Sequence, residues 1–302
     1  MMKAILFSST MRHIRITFSL FILIAGNLSQ VYCQQDIDLQ LHKKESVNHK
    51  IRHYHIAGDE YFTASQNIHI LAVPRSSLGI EYKIDMAWSD SLLYPTSKFG
   101  EQSDAMVAIN GGFFNIAEGG SVSFLEYDDQ MVSNRSWRGD TPDKKTNLDG
   151  ALIILKTGKI IIEDARSSDI YLNSPKEKAV LITGPVLIRK GIQNELLDGN
   201  FVNKRHPRTC IGITQEDILL ITVDGRHLEA KGMNLHELQD FLSGLDCRDA
   251  INLDGGGSTT LWLNTETYKG VANCPSDNKN FDNKGERKVA NVILLNEIRK
   301  AH

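Results

Sequence analysis

Cysteine is scarce in this chain of 302 residues, which has only Cys33, Cys210, Cys247 and Cys274. Four are too few for a disulfide-held scaffold, and no Cys or His spacing resembles a zinc site. Neither sign of charge is in excess. Lysine and arginine total 34 against 37 aspartates and glutamates, a formal net charge of −3. So mild and well mixed a balance argues against nucleic acid or an anionic membrane surface as the main partner. Beyond the amino-terminal segment, no apolar run approaches the length of a membrane-spanning helix.

The first residues do carry a pattern. Lys3, Arg12 and Arg15 form a basic region free of acidic residues, and an apolar core too short to span a membrane runs from Phe18 to Gly26. Residues 1–33 therefore read as a secretory signal peptide, cleaved between Cys33 and Gln34. The expectation is a secreted or periplasmic protein with no stable membrane span after signal removal. With Cys33 gone, three cysteines remain. Cys210 sits in an apolar run and reads as a small core residue, while the count allows a Cys247–Cys274 bond.

Residues 34–60 are polar and rich in Lys, His and Gln, and read as a partly ordered leader. From 61 to 302, apolar runs are separated mostly by short turns. Residues 67–73 and 80–85 read as strands; 150–155 and 159–162 as a hairpin; 209–213 and 217–223 as another. Residues 179–183 and 186–188 flank a turn at Gly184–Pro185. Helical signals are few. Residues 95–104 can form a helix, and Asn234 is a good N-cap for apolar residues at helical spacing from Leu235 to Leu245. Residues 273–287 are rich in Asn, Asp and Lys and read as an exposed loop. The pattern predicts an α+β fold, a mixed, largely antiparallel β-sheet core flanked by a few helices.

Two apolar strands end in the same way, at Asn110-Gly111-Gly112 and at Asp254-Gly255-Gly256-Gly257. Each places a polar side chain at a strand mouth and then lets the backbone turn tightly, with amides that can face an anion. Three consecutive glycines carry a large ordering cost, which close approach of a ligand to the backbone would explain. Asp254 is thus the first candidate, with the hydroxyl of Ser258 nearby. Asn110 can hold a sugar hydroxyl or a phosphate oxygen without adding charge. Phe113 or Phe114 can stack on a sugar, although at least one is expected in the core. Arg208, after His206-Pro207, is the candidate anion clamp, because a guanidinium grips phosphate through two parallel hydrogen bonds. Asp224-Gly225-Arg226 reads either as a hairpin tip or as the functional end of a buried central strand. His206 can serve as a proton donor or simply be exposed.

Taken in order, Asn110-Gly111-Gly112-Phe113-Phe114, Gly184-Pro185, His206-Pro207-Arg208-Thr209, Val223-Asp224-Gly225-Arg226, Leu253-Asp254-Gly255-Gly256-Gly257-Ser258 and Arg287-Lys288-Val289-Ala290-Asn291 resemble the phosphodiester glycosidase family. The resemblance extends over residues 104–295. It implies hydrolysis of a sugar-1-phosphodiester or phosphorylated glycan at the anomeric bond, releasing free sugar and a phosphate monoester. Phosphate is a good leaving group, so a strong general acid matters less than in ordinary glycosides. What remains necessary is a clamp for phosphate charge, a carboxylate at the oxocarbenium-like centre and an oriented water. Asp254 and Asp224 are the expected catalytic residues. Asn110, Gly111, Gly112, Arg208, Arg226, Gly255, Gly256 and Ser258 are the expected substrate-binding residues. No cofactor is expected; the alternative is a divalent cation on the oxygens of Asp254, Asn110 and Asp224. Two other readings stay open: a secreted carbohydrate-binding protein without catalysis, which would more often show several exposed aromatics, and a phosphodiesterase cutting the P–O bond.

Overall fold

A computed structural model describes residues 37–39, 42–48, 50–133, 147–265 and 268–299. The expected signal peptide lies outside the described residues. Three large sheets carry the fold, and every pairing between their strands is antiparallel. The largest has eight strands, in the order Lys43–Ser46, Arg52–Gly58, Gln66–Pro74, Asp217–Val223, Arg208–Ile213, Asp249–Asn252, Val186–Arg189 and Ile192–Gln193. A five-stranded sheet orders Lys269–Val271, Leu261–Asn264, Val107–Asn110, Asn291–Glu297 and Tyr82–Trp88. A second orders Ile160–Asp164, Gly150–Leu155, Glu177–Thr183, Leu125–Tyr127 and Gln130–Ser133. With few helices, this is the antiparallel α+β architecture that the sequence predicts.

The central strands are continuous apolar runs because both of their faces are buried. From the eight-stranded sheet, Leu71, Ile211, Leu220 and Ile251 point into one core, where they meet Ile109 and Ile293 of one neighbouring sheet and Leu152 and Leu181 of the other. Their alternates, Ile70, Cys210 and Ile221, pack on the opposite face against Leu238, Phe241 and Leu242. Those three belong to the helix Leu235–Gly244. Its start is fixed by a capping box: Asn234 Oδ1 accepts from the Glu237 amide at 2.8 Å, and Glu237 Oε2 accepts from the Asn234 amide at 3.0 Å.

Several expectations need correction. The supposed polar leader supplies structural strands: Arg52–Gly58 pairs along its whole length with Gln66–Pro74, and Ile51, Tyr54 and Ile56 are buried. The alternation of apolar residues in that segment was masked by its histidines, which themselves stack. His55 and His69 rings lie 4.4 Å apart and nearly parallel, and His53 Nε2 reaches His69 Nδ1 at 3.0 Å. The strands flanking Gly184–Pro185, a cis peptide, belong to different sheets, so this turn carries the chain between layers. Cys210, Cys247 and Cys274 are all free thiols; Cys247 is buried under Gly212, while Cys274 lies in the segment beside Asp224. The Asn/Asp-rich segment 273–287 is not wholly exposed, because Asn273 at its start is completely buried. No helix among the described residues is long and apolar enough to cross a membrane.

Candidate active site

The sheet register brings the polar turns to one end of the molecule. Arg208 pairs with Val223, and Cys210 with Asn252, so the start of one strand lies beside the ends of two others. The Asp254 amide donates to the Gly111 carbonyl at 3.0 Å, and the Gly256 amide to the Pro207 carbonyl at 2.9 Å. Both glycine turns and the arginine turn thus converge, as the sequence predicts. What each residue does there differs from expectation.

Asn110 is a bracket rather than a ligand-facing group. Its Nδ2 donates to the Asp254 carbonyl at 2.6 Å, while its Oδ1 accepts from Thr209 Oγ1 at 2.8 Å and from the Thr260 amide at 3.1 Å. The amides expected to face an anion at the first turn are also taken. Gly111 donates to the Asn291 carbonyl at 3.0 Å and Gly112 to Asn291 Oδ1 at 2.6 Å. Glycine is needed at 111 because a Cβ there would run into Asn291 Oδ1.

Asp224 is equally committed. It is 1% exposed; Oδ1 accepts from Asn273 Nδ2 at 2.7 Å, and Oδ2 from Asn67 Nδ2 at 2.6 Å and the Cys274 amide at 2.7 Å. Burial pushes its carboxyl above the usual carboxylate range, against the pull of these donors. Asn273 Nδ2 also donates to the Thr259 carbonyl at 3.0 Å. Asp224 therefore holds the support of the triple-glycine turn, with three donors on its two oxygens and its side chain buried away from the mouth's surface. With Asn110 and Asp224 both used in this way, the oxygen set considered for a divalent cation does not exist as an open site. No cluster of three or more His, Cys, Asp or Glu among the described residues could hold a metal ion.

Arg208 is a buried structural arginine. It is 1% exposed, with Nε donating to the Met233 carbonyl at 2.9 Å and Nη2 to the carbonyls of Phe201 at 2.7 Å and Lys204 at 3.0 Å. Its guanidinium also lies over the Phe201 ring. Burial, then the charge of Arg226, push it down to about 10. It ties two loops beneath the site instead of reaching out as a clamp.

The charged residues around the second glycine turn that keep some exposure are Asp254 and Arg287, both partly buried, and Arg226, which is exposed. Asp254 caps its own turn by accepting from the Gly255 amide at 2.9 Å. Burial raises its carboxyl to about 6, against the lowering effects of the buried Ser258 hydroxyl beside it, the Gly255 amide, Arg287 and Arg226. Ser258 Oγ sits near the carboxylate without full hydrogen-bond geometry to any partner. Arg226 is exposed, adopts the left-handed conformation at φ 66°, and lays its guanidinium on the second turn: a Cβ on Gly256 would lie 2.8 Å from Arg226 Nη2. Gly256 is itself left-handed, at φ 64°. A Cβ on Gly257 would lie 2.6 Å from Arg287 Nη2, and Arg287 is paired with Asp277 at 2.6 Å. Bare glycine backbone is what lets two guanidinium groups approach the turn so closely. His206 is partly buried, and burial, then Arg208 and Arg226, push it below its ordinary value, which favours the neutral imidazole over a proton-donating one.

Asp254, Arg226, Gly255, Gly256 and Ser258 are thus brought together at one mouth, while Asn110, Asp224, Arg208, Gly111 and Gly112 build it from behind. Sequence reasoning missed Arg287 and Asp277 as components of the mouth. The usable signal was an arginine closing an Asn/Lys-rich loop immediately before a strand.

A profile described as phosphodiester glycosidase matches residues 103–296. The N-acetylglucosamine-1-phosphodiester alpha-N-acetylglucosaminidase of Mus musculus is 30% identical over 211 residues, covering 64% of this chain and 38% of that protein. Its Homo sapiens counterpart is 30% identical over 215 residues, covering 65% and 39%. The chain therefore spans well under half the length of these curated relatives. Among solved structures, the catalytic domain of the zebrafish enzyme of the same name, auto-inhibited by its pro-peptide, superposes with a TM-score of 0.65 at 21% identity, covering 85% of this chain and 88% of that chain. A hypothetical protein from Synechocystis gives 0.61 at 14% identity, covering 85% and 64%. At such identities these two structures speak for the fold alone. Because the profile takes in both glycine turns, the arginine turn and the Arg287–Asn291 segment, this chain belongs to the phosphodiester glycosidase family.

Proposed function

We propose that the protein hydrolyses a sugar-1-phosphodiester at the anomeric C–O bond, with Asp254 as the one carboxylate that acts on the substrate. The observation that carries this reading is the pairing of a carboxyl raised to about 6 with two guanidinium groups on the same glycine turn. Such a group exchanges its proton near neutral pH, as general acid–base chemistry requires. Arg226 and Arg287 supply the charge for the non-bridging phosphate oxygens. Water adds to the anomeric carbon, the C–O bond breaks, and the phosphate monoester departs with the bonding pair. Ionised Asp254 faces the developing positive centre and takes the proton from water. One carboxylate suffices because the phosphate leaves without needing an acid. The names of the curated relatives, which act on N-acetylglucosamine-1-phosphodiester, support an amino sugar as the first substrate to try. The signal-like residues 1–33 support export to a secreted or periplasmic location.

Hydrolysis in oxygen-18 water provides the test. Label in the sugar, with Asp254→Asn losing turnover while folded, is the expected result. Label in the phosphate would assign P–O cleavage instead, and absence of turnover across a panel of sugar-1-phosphodiesters would favour a binding protein.

A further inference from the structure

The guanidinium-bearing mouth accounts for a phosphate, and the rest of a phosphorylated glycan needs a surface of different chemistry. Such a surface lies at the same end of the neighbouring sheet. A depression of about 190 Å³ between the 88–92 segment and the hairpin of Leu125–Tyr127 and Gln130–Ser133 is walled by Trp88, Ser89, Asp90, Ser121, Val132 and Ser133. A shallower one of about 460 Å³ shares Trp88, Asp90 and Val132 and adds Tyr127, Asp128 and Gln130. Because they share these residues, the two form one continuous groove, whose outer part has the size of an ordinary small-molecule site (~300–1,000 Å³).

Its chemistry is selective. Trp88 is half-buried, with its indole braced against Tyr127 at 4.9 Å between ring centroids, which leaves a rigid apolar edge in the groove. The polar lining is hydroxyl, amide and carboxylate: Ser89, Ser121 and Ser133, Gln130, Asp90 and Asp128. Among the described residues lining it there is no lysine or arginine. Lys178, close under Tyr127, is committed to Asp85 at 2.8 Å. Such a lining repels phosphate. It suits a ring with an apolar C–H face for the indole and vicinal hydroxyls that donate to carboxylates.

The groove is also coupled to the mouth. Trp88 pairs with Asn291 across the sheet, and the Ser89 amide donates to the Ala290 carbonyl at 2.8 Å. Asn291 holds the Gly111–Gly112 turn, and Arg287 is four residues upstream of it. At about 3.3 Å per residue and about 5 Å between paired strands, the groove lies within about 20 Å of Arg287. The opposite wall is fixed by close contact of the Gly119 turn with the Ser91 carbonyl.

We propose that this groove binds uncharged pyranose units of the glycan that carries the phosphodiester, so that the substrate is an oligosaccharide or polymer rather than an isolated sugar phosphate. This rests on the hydrolytic reading above for the position of the phosphate, but its test does not use turnover. Wild-type protein is titrated calorimetrically with chitotriose, maltotriose and mannotriose, none of which contains a phosphodiester. At least one trimer should bind at about 1 mM or tighter, and Asp90→Ala and Trp88→Phe should each weaken it about tenfold. Asp90 is exposed, so its replacement leaves packing intact even if the tryptophan variant is unstable. No binding by any trimer, or equal binding by both variants, overturns the proposal. Binding retained by a protein that fails to hydrolyse any sugar-1-phosphodiester would count against the reaction and not against the groove.

Discussion

Asn110 Nδ2 donates to the carbonyl of Asp254, 144 residues away in sequence, at 2.6 Å. One buried amide thereby locks the two glycine turns into a single mouth and sets the position of the carboxylate by its backbone. Asn110→Asp removes the donor and places a negative charge beside the Asp254 carbonyl. The variant should lose about 2–4 kcal/mol of stability in urea denaturation, because buried groups are left without partners. Its folded fraction should also turn over more slowly than wild type.

Asp254 gives a prediction in which stability and activity move in opposite directions. Its folded value, about 6, lies above the unfolded value of 3.8. The folded protein therefore holds the extra proton between those values, and its stability falls as pH rises from about 4 to 6. Asp254→Asn removes the burial cost of the charge while keeping the oxygen that accepts from Gly255. Thermal unfolding should show the variant more stable at pH 8 by about 1–3 kcal/mol, an advantage that disappears near pH 4. Its turnover should drop by a factor of about 10² to 10⁴.

The three arginines should separate by assay. Arg226→Ala and Arg287→Ala should raise KM for a sugar-1-phosphodiester about tenfold or more and flatten the salt dependence, with little change in Tm. Arg208→Lys should instead lower stability by about 2–3 kcal/mol, because a lysine cannot serve the Met233, Phe201 and Lys204 carbonyls together. A selective KM effect in Arg208→Lys without loss of stability would restore the clamp role that the sequence suggests.

Asp224→Asn turns an acceptor of three hydrogen bonds into a group that must aim an NH₂ at one of its donors. The expected outcome is a loss of about 2–3 kcal/mol on denaturation. Asn67→Ala, which leaves the carboxylate in place, should lose less stability, and the pH profile of its residual activity should keep the wild-type shape. A displaced profile in that variant would mean that Asp224 takes part in proton transfer.

Continuous apolar runs were a good guide to the buried strands Asp217–Val223 and Gly150–Leu155, and helical periodicity to the capped helix Leu235–Gly244. The convergence of the polar turns was legible too, because a polar residue followed by glycine at the end of an apolar strand has few structural uses. What sequence could not give was the direction of each side chain. Asn110, Asp224 and Arg208 look like ligand-facing groups until their hydrogen-bond partners are seen. For Asn110 and Asp224 those partners, Thr209, Asn67 and Asn273, come from segments distant in the chain, while Arg208 is held by the carbonyls of Phe201 and Lys204 just before it and of Met233 25 residues on. Residues 52–58 were misread because histidines on a buried β-face resemble solvent-loving residues in composition.

The Gly255–Gly257 stretch has no side chains with which to hold its own shape. Its stiffness is borrowed through Asp224 from Asn67 and Asn273, contacts that close intervals of 157 and 49 residues. During refolding, that stretch can settle only after both distant segments have arrived, and such wide closures form slowly. Competence to turn over substrate should therefore return later than bulk β-structure when the denatured chain is diluted into buffer.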